Sequence, residues 1–558
     1  MSGWAKPKLD RDQAMLFSPT LDAMLSEDHP VRLFEEMLRT LYDWSAWESQ
    51  YVLVSGQPPI HPRVLAGAIL YGMSRRLRSS RQLEDACINR MDFLWLTEGR
   101  QIDHSTFAGF RTKFEEELKG LFKGLCRGAM KLGMILLSQT GLDGTKIRAN
   151  SSRHGTAGEE TLRKRLAEMD GEVERLMRSW SSADRAEDGL FGGEGTPNRL
   201  PRELADWKRR QKRLQEALEA AGRKSAGSSE GDGEACGSGR EEPESAGQEA
   251  GEPKDAKAAG QGKGKGKKSK KVRVPVADPQ STVQPNKEGG WSPNYVPQAL
   301  VDGAEGLIVG TEVLSEPDEG SVTLGLVDAA SETLGKKPGQ LLADGAYGSG
   351  ANLSGLDTRG VEALIPVSRA AAATEPGQNP AERSDPRDPV AEEDWGRLPR
   401  NRRSKKLDRT AFVYDGAGDC YWCPLGHRLG FVGTQDKGRG GGEYRLYRCG
   451  ACGGCGLSGQ CVGSRTGYRT VFRDEYEPLR EAAEGRLSSE AGRAAYRRRS
   501  WIAETPFAVI KGLWGIRQFL LRGLKKVKTE WLWVCTAYNL NKMVGKVARL
   551  RAASAGKA

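Results

Sequence analysis

Three acidic residues stand in contexts that could assemble a binding site for divalent cations. Asp143 and Asp344 each follow an apolar run and precede a glycine, and Glu504 lies in a strongly basic amphipathic stretch. Mg²⁺ prefers carboxylate oxygens, and two such ions about 4 Å apart can promote phosphoryl transfer. Each acid alone has a simpler interpretation, because Asp-Gly is a common turn sequence and an isolated Glu among basic residues is usually a surface ion-pair partner.

A cysteine-rich segment has the spacing of a metal site. Two Cys-x2-Cys pairs separated by 25 residues are typical of tetrahedral zinc sites, and an iron–sulfur cluster is disfavoured because the fourth cysteine comes too late and no proline follows it. Four of six cysteines are predicted to bind a structural zinc ion, with the first four preferred and His427 as a further alternative; a second metal stays open. The six candidates are Cys420, Cys423, Cys449, Cys452, Cys455 and Cys461.

Basic residues are concentrated at the C-terminal end and in one N-terminal turn. Residues 493–558 contain 15 Lys or Arg and two acids, a charge of +13 compared with +11 for the whole chain. Such a segment indicates a nucleic acid partner, although a solvated face explains the composition equally well. In the N-terminal region, Ser79 and Gln82 fit a capping box at a helix start. Helical spacing and clustered arginines there are consistent with helix-turn-helix DNA binding, and a helical bundle with surface arginines is the simpler interpretation. The arginines are Arg75, Arg76, Arg78 and Arg81.

The elements that must position these residues alternate between helical and strand patterns. Apolar runs predict strands around Asp143, around 295–309 and at 340–344, and helices follow them, which favours an α/β sheet interrupted by inserts. The Gly-, Ser-, Glu- and Lys-rich middle of the chain cannot bury enough apolar surface to order itself. No apolar run reaches the ~20 residues of a membrane span and no signal peptide is visible, so we expect a cytoplasmic protein with reduced thiols.

Several ordered segments of the chain resemble the DDE transposases of bacterial insertion sequences. The N-terminal resemblance rests on GQPPIHPRVLAGAILYG, RSSRQLEDACINRMDFLWLTEG and DHSTFAGFR. LDGTKIRANSS, GWSPNYVPQALVDGAEGLIVG and LLADGAYGSGAN resemble the core strands of that family, and YRRRSWIAETPFAVIKGLWG resembles its closing helical region. The resemblance covers most of the chain outside the low-complexity insert.

The resemblance implies a fold and a set of domains. It implies an α/β fold with an RNase H-like mixed sheet flanked by helices, an N-terminal all-helical domain, a helical and disordered insert, and a small zinc-ribbon-like module. The predicted domains are a helical DNA-binding domain at 1–130; an RNase H-like catalytic core at 135–150, 290–370 and 485–545; a helical hairpin insert at 157–222; a disordered linker at 223–285; and a cysteine-rich zinc-binding module at 410–465.

The resemblance also implies roles for individual residues. The family's three catalytic acids fall on Asp143, Asp344 and Glu504, which would hold two Mg²⁺ or Mn²⁺ ions. Its Tyr–Arg–Glu–Lys signature would place Tyr496, Arg499 and Lys511 against DNA. Because Arg499 precedes Glu504 by one residue more than usual, Arg497 or Arg498 could take the arginine role instead.

The implied activity is transposition. A homodimer would bind the terminal inverted repeats of an insertion sequence, cleave double-stranded DNA at the element ends and join it to target DNA, in the bacterial cytoplasm at the nucleoid and without contact with a membrane. The alternative is a non-catalytic, zinc-dependent DNA-binding protein derived from a transposase. A metal-dependent nuclease without a joining step is a third hypothesis.

Overall fold

The computed structural model describes residues 20–51, 58–191, 202–229, 272–286, 289–367, 379–401, 404–437, 442–463 and 467–555. The described residues exclude 230–271, which make up most of the predicted disordered linker. They also exclude 1–19, where the sequence has no signal-peptide pattern. The chain divides into two compact units. One consists of Met1–Ile147, Val296–Arg517 and Lys525–Ala558, and the other of Arg148–Tyr295 and Gln518–Leu524.

The structure is a mixed α/β fold with a large helical share. The α-helices are α1 Pro30–Leu41, α2 Ser45–Glu48, α3 Pro62–Ser74, α4 Ser80–Asn89, α5 Met91–Leu96, α6 His104–Lys113, α7 Glu115–Lys131, α8 Glu159–Phe191, α9 Arg202–Ser229, α10 Thr323–Leu334, α11 Gly350–Thr358, α12 Ser458–Cys461, α13 Glu477–Ser488, α14 Glu490–Phe507 and α15 Leu524–Ala555. None of the described helices is long and apolar enough to cross a membrane.

The strands form three sheets. They are β1 Gln139–Gly144, β2 Ile147–Arg148, β3 Thr156–Gly158, β4 Arg273–Pro275, β5 Thr282–Pro285, β6 Trp291–Asp302, β7 Ile308–Leu314, β8 Gln340–Leu342, β9 Glu362–Leu364, β10 Val413–Asp415, β11 Cys420–Trp422, β12 Arg428–Asp436, β13 Glu443–Cys449 and β14 Thr470–Arg473.

The N-terminal helices begin where the sequence provides caps. The predicted capping box of Ser79 and Gln82 is confirmed at the start of α4, and the side chain of Asp103 accepts hydrogen bonds from two backbone amides at the start of α6. Such side chains satisfy amides that have no partner inside the helix. The helices pack on α15 through an aromatic cluster in which Trp47 stacks on Phe110 and contacts Trp533. The last helix of the region predicted at 1–130 is α7, which ends at Lys131.

The central sheet of the first unit carries the predicted strands around both aspartates. Among the described residues this sheet has seven strands in the order β2-β6-β1-β8-β9, and β5 and β7 also pair with β6. Strand β6 is antiparallel to β7 and β1, and β8 is parallel to β1 and β9. Strands β6 and β7 form an antiparallel hairpin that spans the predicted strand region of 295–309. Its turn is held by Asp302, whose buried carboxylate accepts hydrogen bonds from the backbone amides of Leu137 and Ala304.

The second unit contains the helical insert. Helices α8 and α9 bury Leu162, Leu214 and Ala217 in a common core with β3 and β4. Helix α9 continues to Ser229, and β4 and β5 lie within 272–286. Helix α9 thus extends into the predicted linker of 223–285 at one end, and β4 and β5 lie at its other end, where Val272 and Val274 pack in this small core.

The cysteine-rich region folds as a small antiparallel sheet in the order β10-β11-β12-β13-β14. Its core combines aromatic and aliphatic side chains such as Tyr447, Leu429 and Val471 with several cysteines. The hydrophobic core of this module extends back to Ala381 and Val390, before the predicted start at 410. The small module thus completes its hydrophobic core with side chains from a preceding segment whose sequence has no zinc-site pattern.

Candidate active site

The parallel pairing of two strands brings the first two acids to the same edge of the sheet. Strand β1 pairs in parallel with β8, and Gly141 lies opposite Leu342. Two residues after these partners come Asp143, which is still on β1, and Asp344, which caps the turn that follows β8. The Asp344 carboxylate also accepts a hydrogen bond of 2.9 Å from the amide of Ala346 and caps the following turn. Asp344 is therefore a turn residue and, at the same time, one of the acids of the candidate site.

Glu504 reaches this edge on helix α14, which packs directly on β1. A Cβ atom at Gly141 would lie 2.9 Å from Ile502 Cγ2 and 3.1 Å from Ala503 Cβ, so a side chain on the strand would push the helix away. Helix α14 continues through Pro506, and a π-helix follows at Ala508–Leu513. The Glu504 side chain is 54% exposed and forms an ion pair of 3.5 Å with Arg499.

The electrostatics of Asp143 tie the three acids together. Its pKa is raised to about 6, mainly by burial and to a smaller extent by the negative charges of Asp344 and Glu504. A hydrogen bond from the Gly144 amide and the positive charge of Arg499 oppose this shift. Charges that act on one carboxyl group in this way must lie close to it. The arrangement is therefore a partly buried cluster of three acids with one guanidinium group beside it.

The basic residues of the last helical region differ in what they contact. Arg499 pairs with Glu504 and lies 5.9 Å from the ring centre of Tyr496, whose hydroxyl donates to the Ala343 carbonyl oxygen. Arg498 instead donates to the Gly303 carbonyl oxygen. Arg497 is exposed on α14. Of the three arginines, Arg499 is thus the one placed beside an acid of the cluster.

Lys511 lies in the π-helical turn and contacts the segment that follows Asp143. Its ammonium group donates to Thr145 Oγ1 at 3.0 Å and to the Lys146 carbonyl oxygen at 3.2 Å. A lysine so close to the acids can offer charge to a phosphate group. These contacts place Lys511 against the residues that immediately follow Asp143 and Gly144.

Comparison with protein families identifies the chain. Residues 422–544 match the family described as Transposase DDE domain, and residues 19–113 match the family described as Transposase domain (DUF772). Both matches support a DDE transposase of the insertion-sequence type. The first match contains Glu504, whereas Asp143 and Asp344 lie outside both matched stretches. Searches of curated proteins and of solved structures gave no match.

The N-terminal arginines of this transposase are not equivalent. Arg78 forms an ion pair of 3.1 Å with Glu530 on α15, in which both side chains are largely buried. Arg75 lies over the ring of Tyr71, and Arg76 and Arg81 are exposed. Arg78 therefore ties α15 to the turn before α4, and the other three present positive charge to solvent.

A fourth carboxylate of the transposase was missed by the sequence analysis. Glu319 lies in the turn between β7 and α10, and burial followed by the charges of Asp344 and Asp143 raises its pKa. The hydroxyl of Tyr347 is 3.2 Å from Glu319 Oε2. The surrounding sequence, Glu-Pro-Asp-Glu-Gly, is typical of a solvated acidic turn and carried no signal of a site.

Most of the predicted zinc ligands of the transposase meet in one cavity. The Cys449 thiol donates to the sulfur of Cys423, which lowers the pKa of Cys423 and raises that of Cys449. The backbone amide of His427 donates to Cys423 Sγ at 3.3 Å, and that of Arg469 donates to Cys452 Sγ at 3.4 Å. The cysteines that line the cavity are Cys423, Cys449, Cys452, Cys455 and Cys461.

Cys420 does not line this cavity, and zinc binding by the preferred set of the first four cysteines stays a prediction. Cys420 lies on β11 opposite Gly430, and its sulfur lies next to Gly418. Across the ranges that the structure describes, no three His, Cys, Asp or Glu side chains are close enough to hold one metal ion. Within the described residues, neither the cysteine side chains nor the acidic side chains therefore form a closed coordination shell.

Proposed function

We propose that this transposase binds the terminal inverted repeats of an insertion sequence as a homodimer and catalyses metal-dependent cleavage and strand transfer of double-stranded DNA. One observation carries the proposal. The charges of Asp344 and Glu504 both act on Asp143, although the three acids are far apart in the sequence. A folded chain gains no stability from bringing like charges together at a half-buried edge, so their convergence points to a ligand of opposite charge.

The sheet topology supports an RNase H-like core. Three strands that run antiparallel in turn, β7, β6 and β1, are followed by two strands parallel to β1. In this order, the ends of β1 and β8 lie side by side, and α14 crosses β1 with Glu504. An RNase H-like core would therefore present one acid from each of two adjacent strands and one from a packed helix.

The acids have the donor chemistry that a hard divalent cation requires. Asp143, Asp344 and Glu504 would hold two Mg²⁺ or Mn²⁺ ions, which when bound supply the Lewis acidity needed for phosphoryl transfer. Arg499 lowers the pKa of Asp143 and favours its ionised, ligand-competent form. Lys511 and Arg499 flank the acids and would hold the phosphodiester, and Tyr496 would position the DNA backbone.

The other predicted modules have supporting roles in this proposal. Exposed Arg75, Arg76 and Arg81 would contact DNA phosphates, which fix register without reading sequence. The cysteine cavity would hold a structural zinc ion, because backbone amides already donate to Cys423 and Cys452 as they do to metal-bound thiolates. Four ligands from the five lining cysteines and His427 would close the coordination shell and leave it no catalytic position.

A cleavage and joining assay tests the proposal. The substrate is DNA that carries the gene's own flanking ends, with Mg²⁺ or Mn²⁺, and Asp344→Asn is compared with wild type. Asp357→Asn, an exposed acid on the neighbouring helix α11, is the matched control. We expect wild type and the control to nick and join the ends, and Asp344→Asn to bind them without cutting. Tight binding by wild type without cleavage would favour the DNA-binding alternative, and cleavage without joining the nuclease.

A further inference from the structure

Glu319 is held at the acid cluster by a buried hydrogen-bond chain. The Tyr347 hydroxyl lies 2.6 Å from Gln298 Oε1 and 3.2 Å from Glu319 Oε2. Tyr347 and Gln298 are both fully buried. A phenol has one proton, so it can donate to only one of the two oxygens at a time.

The amide of Gln298 resolves this competition. Within the described residues its Nε2 atom is buried and has no hydrogen-bond partner. The oxygen and nitrogen of an amide are assigned from the network that they join. If the amide is turned over, Nε2 donates to the Tyr347 hydroxyl, and that hydroxyl donates to Glu319. The exchange leaves an amide oxygen unsatisfied in place of an N–H, which is the more readily tolerated of the two.

Glu319 also lies beside the turn that follows Asp344. A Cβ atom at the next residue, Gly320, would lie 3.0 Å from the Ala346 carbonyl oxygen. The charges of Asp344 and Asp143 raise the pKa of Glu319, and the charge of Lys146 lowers it. The same three carboxylates act on the buried hydroxyl of Tyr347. Tyr347 follows Asp344 by three residues, so the turn that Asp344 caps also delivers the donor to Glu319. The buried hydroxyl of Tyr347 thus orients the Glu319 carboxylate, which the charges of Asp143 and Asp344 repel.

We propose that Glu319 is a fourth carboxylate of the cation site formed by Asp143 and Asp344, and that Tyr347 is the positioning residue that orients it. The proposal rests on the proposed function, since it assumes that these aspartates bind Mg²⁺ or Mn²⁺. Glu319 adds a fourth negative charge and further oxygen donors, both of which favour a hard cation. Tyr347 leaves the outer lone pairs of Glu319 available and fixes the direction in which they point.

Titration of the full-length, zinc-loaded chain with Mn²⁺, followed by calorimetry in the absence of DNA, tests this role. Glu319→Gln keeps an oxygen acceptor for Tyr347 and removes the charge. Asp318→Asn is the matched control, because it changes an adjacent acid that is exposed to solvent. We expect Glu319→Gln to weaken Mn²⁺ binding about tenfold or more, Tyr347→Phe to weaken it less, and Asp318→Asn to leave it unchanged.

The melting temperature of the Mn²⁺-free protein separates ligation from a structural role. Removing one of several repelling charges should leave the melting temperature of Glu319→Gln equal to or above that of wild type, whereas a structural carboxylate would lower it on removal. Mn²⁺ affinity equal to wild type, or a loss matched by a lower melting temperature, would overturn the assignment. If Asp143→Asn abolishes binding while Glu319→Gln does not, the proposed function stands and Glu319 alone is excluded. Absence of Mn²⁺ binding by wild type would overturn both.

Discussion

Protonation of Asp143 should control cation binding by this transposase near neutral pH. Its pKa rises from 3.8 to about 6, mainly through burial. One pKa unit corresponds to about 1.4 kcal/mol, so ionising Asp143 in the cation-free fold costs about 3 kcal/mol more than in the unfolded chain. Metal ligands must be deprotonated to bind. At pH 5 only about one molecule in ten carries the ionised form, so the cation must displace a proton.

The sign of the stability effect follows from the raised pKa. Between about pH 4 and pH 6 the folded state binds more protons than the unfolded state, so the free energy of unfolding falls as pH rises. The stability that the neutral carboxyl allows is fully present below pH 4 and is lost as pH passes through about 6. Asp143→Asn has no such group. Without divalent cations, we expect this variant to be more stable than wild type at pH 7, by up to about 3 kcal/mol relative to their difference at pH 4.

Two measurements check this coupling. Calorimetric Mn²⁺ titrations at pH 5, 6 and 7 should show the affinity of wild type falling about tenfold per pH unit below pH 6. Melting temperatures of wild type and Asp143→Asn, measured in buffers free of Mg²⁺ and Mn²⁺, should diverge as pH rises from 4 to 7. Equal Mn²⁺ affinity at pH 5 and pH 7, together with parallel melting curves, would show that Asp143 titrates as an ordinary exposed aspartate.

Three further substitutions probe the packing, charge and cysteines around the sites. Gly144→Ala would place a Cβ atom 2.8 Å from a side-chain carbon of a fully buried glutamine; overpacking of this kind costs roughly 1–3 kcal/mol, so we expect a lower melting temperature and weaker cleavage, and an unchanged melting temperature would refute the packing. Arg499→Gln should move the pH midpoint of Mn²⁺ binding upward because a stabilising positive charge is lost, whereas exposed Arg497→Gln should not; equal midpoints would exclude the assigned pairing. Cys449→Ser should reduce the zinc content measured by atomic emission and Cys420→Ser should retain it, and equal losses would argue against the cavity as the zinc site.

The sequence by itself determined the local features of the transposase. Apolar runs that end in Asp-Gly predicted the strand containing Asp143 and the one preceding Asp344, and the capping pattern of Ser79 and Gln82 predicted the start of α4. These features could be predicted because hydrophobic periodicity and capping depend on residues a few positions apart. The family resemblance added Glu504, for which local spacing offered only a surface ion pair.

Only the tertiary structure decided which distant residues meet. The parallel register of β1 and β8 aligns Asp143 with Asp344, and Gly141 allows α14 to approach β1 closely enough to bring Glu504 beside them. Glu319 joins this edge through the hydroxyl of a buried tyrosine, although its own sequence is typical of a solvated turn.

The cysteine module shows the same division. Spacing predicted a cluster of cysteines, but it could not show that Cys423 lines the cavity and that Cys420, on β11, does not. Sequence spacing records how far apart residues lie along the chain. Strand register, close packing at glycines and side-chain direction decide how far apart they lie in space, because these depend on contacts with partners that are remote in the sequence.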